Sequence, residues 1–189
     1  MTPSEHDKRQ LIVRTAYDLF KRDGFHATGI DRIIAEARVA KMTMYRHFPS
    51  KDKLIIEVLE RRAERFARQL DDLALADATP AEKVTRVFDW HAAWFRRRDF
   101  HGCLFAHAIA EYGDVNHPVH RAAAAQKIAM RNRLAALLEE TPPAAVAKAT
   151  VLVMLIEGAT LLAQLGHGDE AITAAKGAAL QLISPAPAA

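Results

Sequence analysis

Between Arg38 and Lys51 the sequence RVAKMTMYRHFPSK places five basic side chains, Arg38, Lys41, Arg46, His47 and Lys51, beside the hydroxyls of Thr43 and Tyr45. Cations and hydroxyls packed this closely suit phosphate oxygens, and Arg46 or His47 can also donate to the acceptor edge of guanine. Met42 adds a slender apolar side chain of the kind that touches a thymine methyl group. Taken singly, a lysine here points to water and a tyrosine packs. Taken together, Met, Tyr, Arg and His on the solvent side of a short helix gain nothing unless a partner covers them. A polyanion with readable edges, double-stranded nucleic acid, fits that chemistry.

A second group suits a small apolar ligand. Trp90, His91, Trp94 and Phe95 crowd one segment; Phe100, Cys103, Leu104, His107, Glu111 and Tyr112 follow; Met130, Met154 and Glu157 stand further on. Apolar walls with a few convergent polar groups are the usual design of a ligand pocket, although any one of these aromatics can equally be core. His107 and Glu157 carry more weight, because ionisable groups on apolar helix faces need a partner or a ligand. Cys103, near His101, His107 and the Arg96-Arg97-Arg98 run, opens an alternative: a thiol activated by nearby cations that senses electrophiles or oxidants. The pair His117 and His120 has no second cysteine or clustered carboxylate at ligand spacing, so no metal site is expected. The sequence has no Gly-rich phosphate loop, no G-x-S-x-G elbow and no paired-carboxylate motif, so neither an enzyme nor a cofactor is expected.

These residues must be positioned by helices. No run alternates apolar and polar residues long enough to suggest a sheet, and the spacing predicts an all-α chain of about nine helices. Leu11, Ile12, Ala16, Leu19 and Phe20 give one buried face over Asp7 to Asp23, and Gly24 ends it. Thr28 or Gly29 caps a second helix with Ile30, Ile33, Ile34 and Ala37 inward. After a turn at Arg38 and Val39, a third helix from Ala40 to His47 turns Met44 inward, with Phe48 one turn on. Pro49 stops it and Ser50 caps a long fourth helix. Three short helices with a tight turn before the last form a helix-turn-helix, whose final helix enters the major groove. Further helices are expected from Pro80, over Cys103 to Tyr112, from Pro118 to Glu140, from Ala144 to Leu165 and from Glu170 to Ile183. A soft boundary is expected over residues 71–79, and fraying in the final SPAPAA.

Charge divides the chain in the same way. Residues 1–70 hold 15 Lys/Arg against 10 Asp/Glu, and residues 71–189 hold 11 against 13. The basic excess sits wholly in the first third, as expected if that part meets a polyanion. A lone cysteine, a polar N-terminus and an apolar stretch interrupted by Lys148, Glu157 and Gln164 point to a cytoplasmic protein that does not span a membrane.

The stretch FKRDGFHATGIDRIIAEARVAKMTMYRHFPSKDKLI resembles the DNA-binding domain of the TetR family of one-component transcriptional regulators. The resemblance rests on Phe20, Gly24, Phe25, Thr28, Ile33, Ala37 and Val39, then Lys41, Thr43, Tyr45, Phe48, Ser50, Lys51 and Leu54. It implies a homodimer that binds a palindromic operator, with contacts from Thr28, Lys41, Thr43, Tyr45, His47 and Lys51. It also implies a division into a DNA-binding domain over residues 1–53 and a ligand-binding and dimerisation domain over 54–189. A small lipophilic effector would release the repressor, with helix four as the lever. Arg38 stands where the family usually has glycine, Ala40 replaces a Ser or Thr cap, Met42 replaces a small residue, and Gly29 lacks a common hydroxyl. These departures bear on operator sequence and affinity, not on the class of activity. The near-continuous apolar run VLVMLIEGATLLAQL independently places a dimer interface on the last two helices.

Overall fold

The computed structural model describes residues 4–74 and 78–184. Among them are nine α-helices and no strand: α1 (Glu5–Asp23), α2 (Ile30–Ala37), α3 (Lys41–His47), α4 (Lys51–Ala74), α5 (Pro80–Phe95), α6 (Leu104–Glu111), α7 (Pro118–Leu137), α8 (Ala144–Gln164) and α9 (Gly168–Ile183). The all-helical expectation holds. Part of the soft boundary, residues 75–77, and the tail beyond Ser184 lie outside the described residues.

Local chemistry explains where the helices start and stop. Ser4 accepts from the amide of Asp7 while the Asp7 carboxylate takes the Ser4 amide, a reciprocal box that starts α1 two residues earlier than its apolar pattern suggests. Thr79 and Glu82 form the same box at α5, with Pro80 at the first helical position. Gly24, at φ 87°, ends α1 as its amide donates to the Phe20 carbonyl. α7 stops at Leu137, short of the expected Glu140, with Glu139 in the left-handed region at φ 56°.

Two compact units emerge. The first joins the residues up to Glu64 to Cys103–Gln126; the second holds Arg65–Gly102 and the chain from Lys127 onward. The packing therefore does not break at residue 53: α6 and the first half of α7 pack with the N-terminal helices. In the first unit Ile12, Ala16 and Phe20 of α1, Ile33 of α2, Met44 of α3 and Leu54 and Ile55 of α4 are almost completely buried together with Phe25. Arg9 of α1 pairs with Glu57 of α4 at 2.8 Å and lies 5.2 Å over the Phe48 ring, so an anchored guanidinium covers the end of α3. This arrangement fixes α3 against the rest of the first unit.

The second unit has its own core of Phe66, Val84, Val87, Phe88, Leu134 and Leu152, with α9 packed on both α5 and α8. α8 is long and apolar enough, at mean hydropathy 1.8, to cross a membrane by length and composition. Its inner face instead packs in this core through Ala149, Leu152, Ile156 and Ala159. Its outer face leaves Val151 38%, Met154 66%, Leu161 60% and Leu165 66% exposed, which with Gly158 repeat at alternating steps of three and four residues.

Candidate functional site

The α2–α3 turn is closed by Arg38, in the left-handed region at φ 51° and ψ 43°. Its amide donates to the Ala35 carbonyl and that of Val39 to the Ile34 carbonyl, so the last carbonyls of α2 are satisfied without a glycine. The conformation costs a non-glycine residue about 1 kcal/mol, which a core this well packed absorbs. The side chain itself is exposed.

On α3 the inward residue is Met44, fully buried, and Phe48 follows it into the core. The opposite side carries Met42 and Tyr45, 75% and 42% exposed. Lys41 is exposed and meets Asp31 at 3.6 Å, while Thr43 is half-buried. Arg46 lies 3.4 Å from the Glu5 carboxylate, and His47 Nε2 lies 3.2 Å from the same group. The structure thus brings Arg38, Lys41, Met42, Tyr45 and Arg46 onto the solvent side of the α2–α3 turn and α3. His47, expected to face outward, is mostly covered, its side chain retaining 14% exposure.

Two expected contacts are placed differently. Thr28 is completely buried, and its hydroxyl donates to the Gly24 carbonyl at 2.7 Å, so it braces the loop between α1 and α2 and offers no side chain to a polyanion. Lys51 is half-buried, with its Nζ 3.5 Å from the His26 carbonyl; burial pushes its pKa down, opposed by the Glu111 and Asp52 charges.

The end of α6 and the segment that leads to α7 grip the α1–α2 loop. The Glu111 carboxylate accepts from the amides of Phe25 at 2.9 Å and His26 at 2.6 Å. His26 stacks on Tyr112 at 4.7 Å, and Tyr112 stacks in turn on His117, whose Nε2 lies 3.5 Å from Asp52 at the start of α4. Burial, with Asp52 and Glu111 nearby, pushes the Tyr112 phenol up to about 12. Glu111 was expected to bind a ligand; its carboxylate is taken by backbone amides. Sequence reasoning missed this clamp, because its partners are 85 and 86 residues away and no motif links them.

The other expected ligand residues divide between the units. Leu104 is buried in the core of the first unit, Cys103 packs against that core at the N-terminal end of α6, and His107 is half-buried. In the second unit Phe66, Trp90, Trp94, Phe95 and Phe100 pack as a chain of rings with centroids 4.9 to 6.0 Å apart. His91 is buried among them, its Nδ1 2.7 Å from the Val87 carbonyl. Met130 is buried in the same core. Met154 is exposed on the outer face of α8, and Glu157 pairs with Lys127 at 2.5 Å, so its apolar surroundings are matched by a cation. A cleft of about 360 Å³ at the α8–α9 turn is bordered by Phe95, Arg96, Ala163 and Gly166 to Glu170. Of the expected ligand residues only Phe95 borders it.

Two family models match the sequence. Residues 12–58 match that of the bacterial regulatory proteins of the tetR family, and residues 80–178, just over half of the chain, match the C-terminal domain of LmrA/YxaF-like transcriptional regulators. The HTH-type transcriptional regulator LmrA of Bacillus subtilis is 34% identical over 79 residues, and the HTH-type transcriptional repressor KstR of Mycolicibacterium smegmatis is 31% identical over 81. These matches span 41% and 43% of this chain and only 42% and 40% of those relatives. The crystal structure of a TetR-family transcriptional regulator from Streptomyces coelicolor superposes with a TM-score of 0.87 at 32% identity, covering 93% of this chain and 94% of that one. The reduced form of Escherichia coli NemR, at 23% identity and a TM-score of 0.87 over 96% of this chain and all of that one, shares the fold.

Proposed function

The chain belongs to the TetR family of bacterial transcriptional regulators, and from that premise we propose that it is a repressor that binds a palindromic operator as a homodimer and is released by a small lipophilic molecule. The observation that carries the DNA-binding part is the outer side of α3, where Met42 and Tyr45 stand in solvent between Lys41 and Arg46. A short helix with that face exposed matches phosphate and base-edge chemistry better than it matches water. Arg38, Lys41, Thr43, Tyr45 and Arg46 are the proposed contacts, with His47 and Lys51 secondary because both are partly covered.

Dimerisation is proposed through α8 and α9. The exposed stripe Val151, Met154, Leu161 and Leu165 on α8 is the kind of surface a monomer rarely leaves open, and α9 adds exposed Ala174, Gly177 and Ala178, which permit close approach. A dimer is also what specificity needs, since one helix-turn-helix covers too little DNA. The residues before α4 would then serve DNA binding and the later helices effector binding and pairing, with α4 as the lever. The effector is proposed to enter among the aromatic side chains of the second unit, and a cytoplasmic location follows from the same role. The thiol-sensing alternative gains nothing from Cys103, which packs against the apolar core of the first unit.

A footprint on the DNA flanking the protein's own gene, repeated with a panel of lipophilic compounds, tests this reading. It expects one protected palindrome and its loss with one compound class. Protection that no compound relieves would remove the effector, and absence of protection would remove the operator.

A further inference from the structure

We propose that Glu5 is a built-in competitor for DNA phosphates: its carboxylate pairs with Arg46 and lies beside His47 of α3 in the free protein and thereby suppresses binding to DNA of arbitrary sequence. The proposal rests on the DNA-binding reading above and assigns one residue of α1 a role in specificity.

Glu5 stands in the first turn of α1 but takes no part in capping it. Ser4 and Asp7 satisfy that helix end between them. Glu5 is left to gather side-chain nitrogens: Lys8 Nζ at 2.9 Å on one carboxylate oxygen, and Arg46 at 3.4 Å and His47 Nε2 at 3.2 Å on the other. Two of those three belong to the helix that would meet DNA, 41 residues further along the chain. Lys41, at the other end of α3, meets Asp31, which is 86% exposed.

The stability of the fold does not explain the arrangement. Glu5 is half exposed and Arg46 63% exposed, and ion pairs in that much water add little to folding. What such a carboxylate does control is the approach of another anion. A phosphate bound by Arg46, whose guanidinium lies 3.4 Å from Glu5, comes inside the roughly 8 Å over which charges act at physiological salt. It must displace the carboxylate or be repelled by it. Sequence-independent binding consists almost wholly of phosphate contacts, so it bears this penalty in full. Binding to a matched operator adds base contacts, as from Met42, and can bear it.

The test compares the wild-type protein with Glu5→Gln and with Asp18→Asn, which makes the same charge change on the same helix at an exposed residue. Each is titrated into a mixed-sequence, non-palindromic duplex of about 30 base pairs at several salt concentrations between roughly 50 and 200 mM. Glu5→Gln is expected to bind about threefold tighter or more, with a log–log salt slope steeper by about 1 for each chain bound, while Asp18→Asn follows the wild type. Glu5→Ala, which also lacks the carboxylate, is expected to show the same gain. A Glu5→Gln affinity and slope that coincide with the wild type, or an Asp18→Asn gain of equal size, overturn the proposal alone. If neither the wild type nor Glu5→Gln binds the duplex at any salt, the DNA-binding reading falls and this proposal with it.

Discussion

Glu111 and His26 hold each other at two points: the His26 amide donates to Glu111 Oε2 at 2.6 Å, and the His26 ring Nε2 lies 2.9 Å from the Glu111 carbonyl. With the Phe25 amide on the other carboxylate oxygen, the last residue of α6 fastens the loop that leads into α2. Glu111→Ala leaves both amides without this acceptor and is expected to lower unfolding free energy by about 2 kcal/mol. Glu111→Gln keeps one acceptor oxygen and should lose less. Denaturant unfolding of the two variants checks the order; equal stability of all three proteins would contradict the clamp.

Thr28 offers a clean separation of structural from DNA-contact roles. Its buried hydroxyl donates to the Gly24 carbonyl, so Thr28→Val should cost about 1–2 kcal/mol of stability. Because that hydroxyl does not reach solvent, the salt slope of DNA binding by the folded variant should match the wild type. A flattened slope would return Thr28 to the DNA-contact set.

Arg38 carries two opposed effects. Arg38→Gly relieves a left-handed residue at φ 51° and should raise stability by up to about 1 kcal/mol. It also removes an exposed cation from the turn, so operator affinity should fall and the salt slope flatten by about 1 per chain. Thermal unfolding and titration of one variant read both; unchanged DNA binding would reduce Arg38 to a tolerated turn residue.

Tyr112 makes an alkaline prediction. Its folded pKa, about 12, lies above the ordinary 10, so the buried neutral phenol is favoured by the fold at any pH below 10. As pH rises from 10 towards 12, the unfolded chain releases this proton first, and stability is lost by roughly 2–3 kcal/mol. Tyr112→Phe removes that component. Unfolding curves for the two proteins should therefore differ in their pH dependence only above about pH 10; parallel curves throughout that range would contradict the burial of the phenol.

The exposed stripe on α8 predicts association. Leu161→Lys and Leu165→Lys place charges where a second copy is proposed to pack, and each should shift the protein towards monomer in sedimentation equilibrium while leaving its helical content unchanged. A wild-type protein that is monomeric at micromolar concentration would remove the interface.

Helix existence was legible in the sequence because the 3.6-residue pattern of Ile12, Ala16, Leu19 and Phe20, and of Ile33 and Ala37, is strong. Ends were legible where one residue type decides them, as at Gly24, Pro49 and Pro80. The outer face of α3 could be read from residue types alone, since Met44 and Phe48 fix which side is inward. What stayed hidden was pairing between distant segments. Glu157 looked like a ligand group until Lys127, 30 residues earlier, lay against it, and Glu111 until the Phe25 and His26 amides did. Thr28 was misplaced for a different reason. A hydroxyl after a helix end can face solvent or turn back onto a carbonyl, and composition does not distinguish the two. The aromatic run from Trp90 to Phe100 shows the same limit, because rings that line a cavity and rings that pack on one another have identical sequence spacing.

Two copies of α3 are proposed to read a two-fold symmetric DNA sequence. Selection of bound duplexes from a randomised pool tests it most directly, with Tyr45→Ala run in parallel. The wild-type protein is expected to enrich one palindrome, its half-sites about one helical turn or a multiple apart, and Tyr45→Ala to lose or markedly weaken that enrichment. Enrichment of an asymmetric sequence, no enrichment by the wild type, or the same palindrome recovered equally by Tyr45→Ala would contradict it.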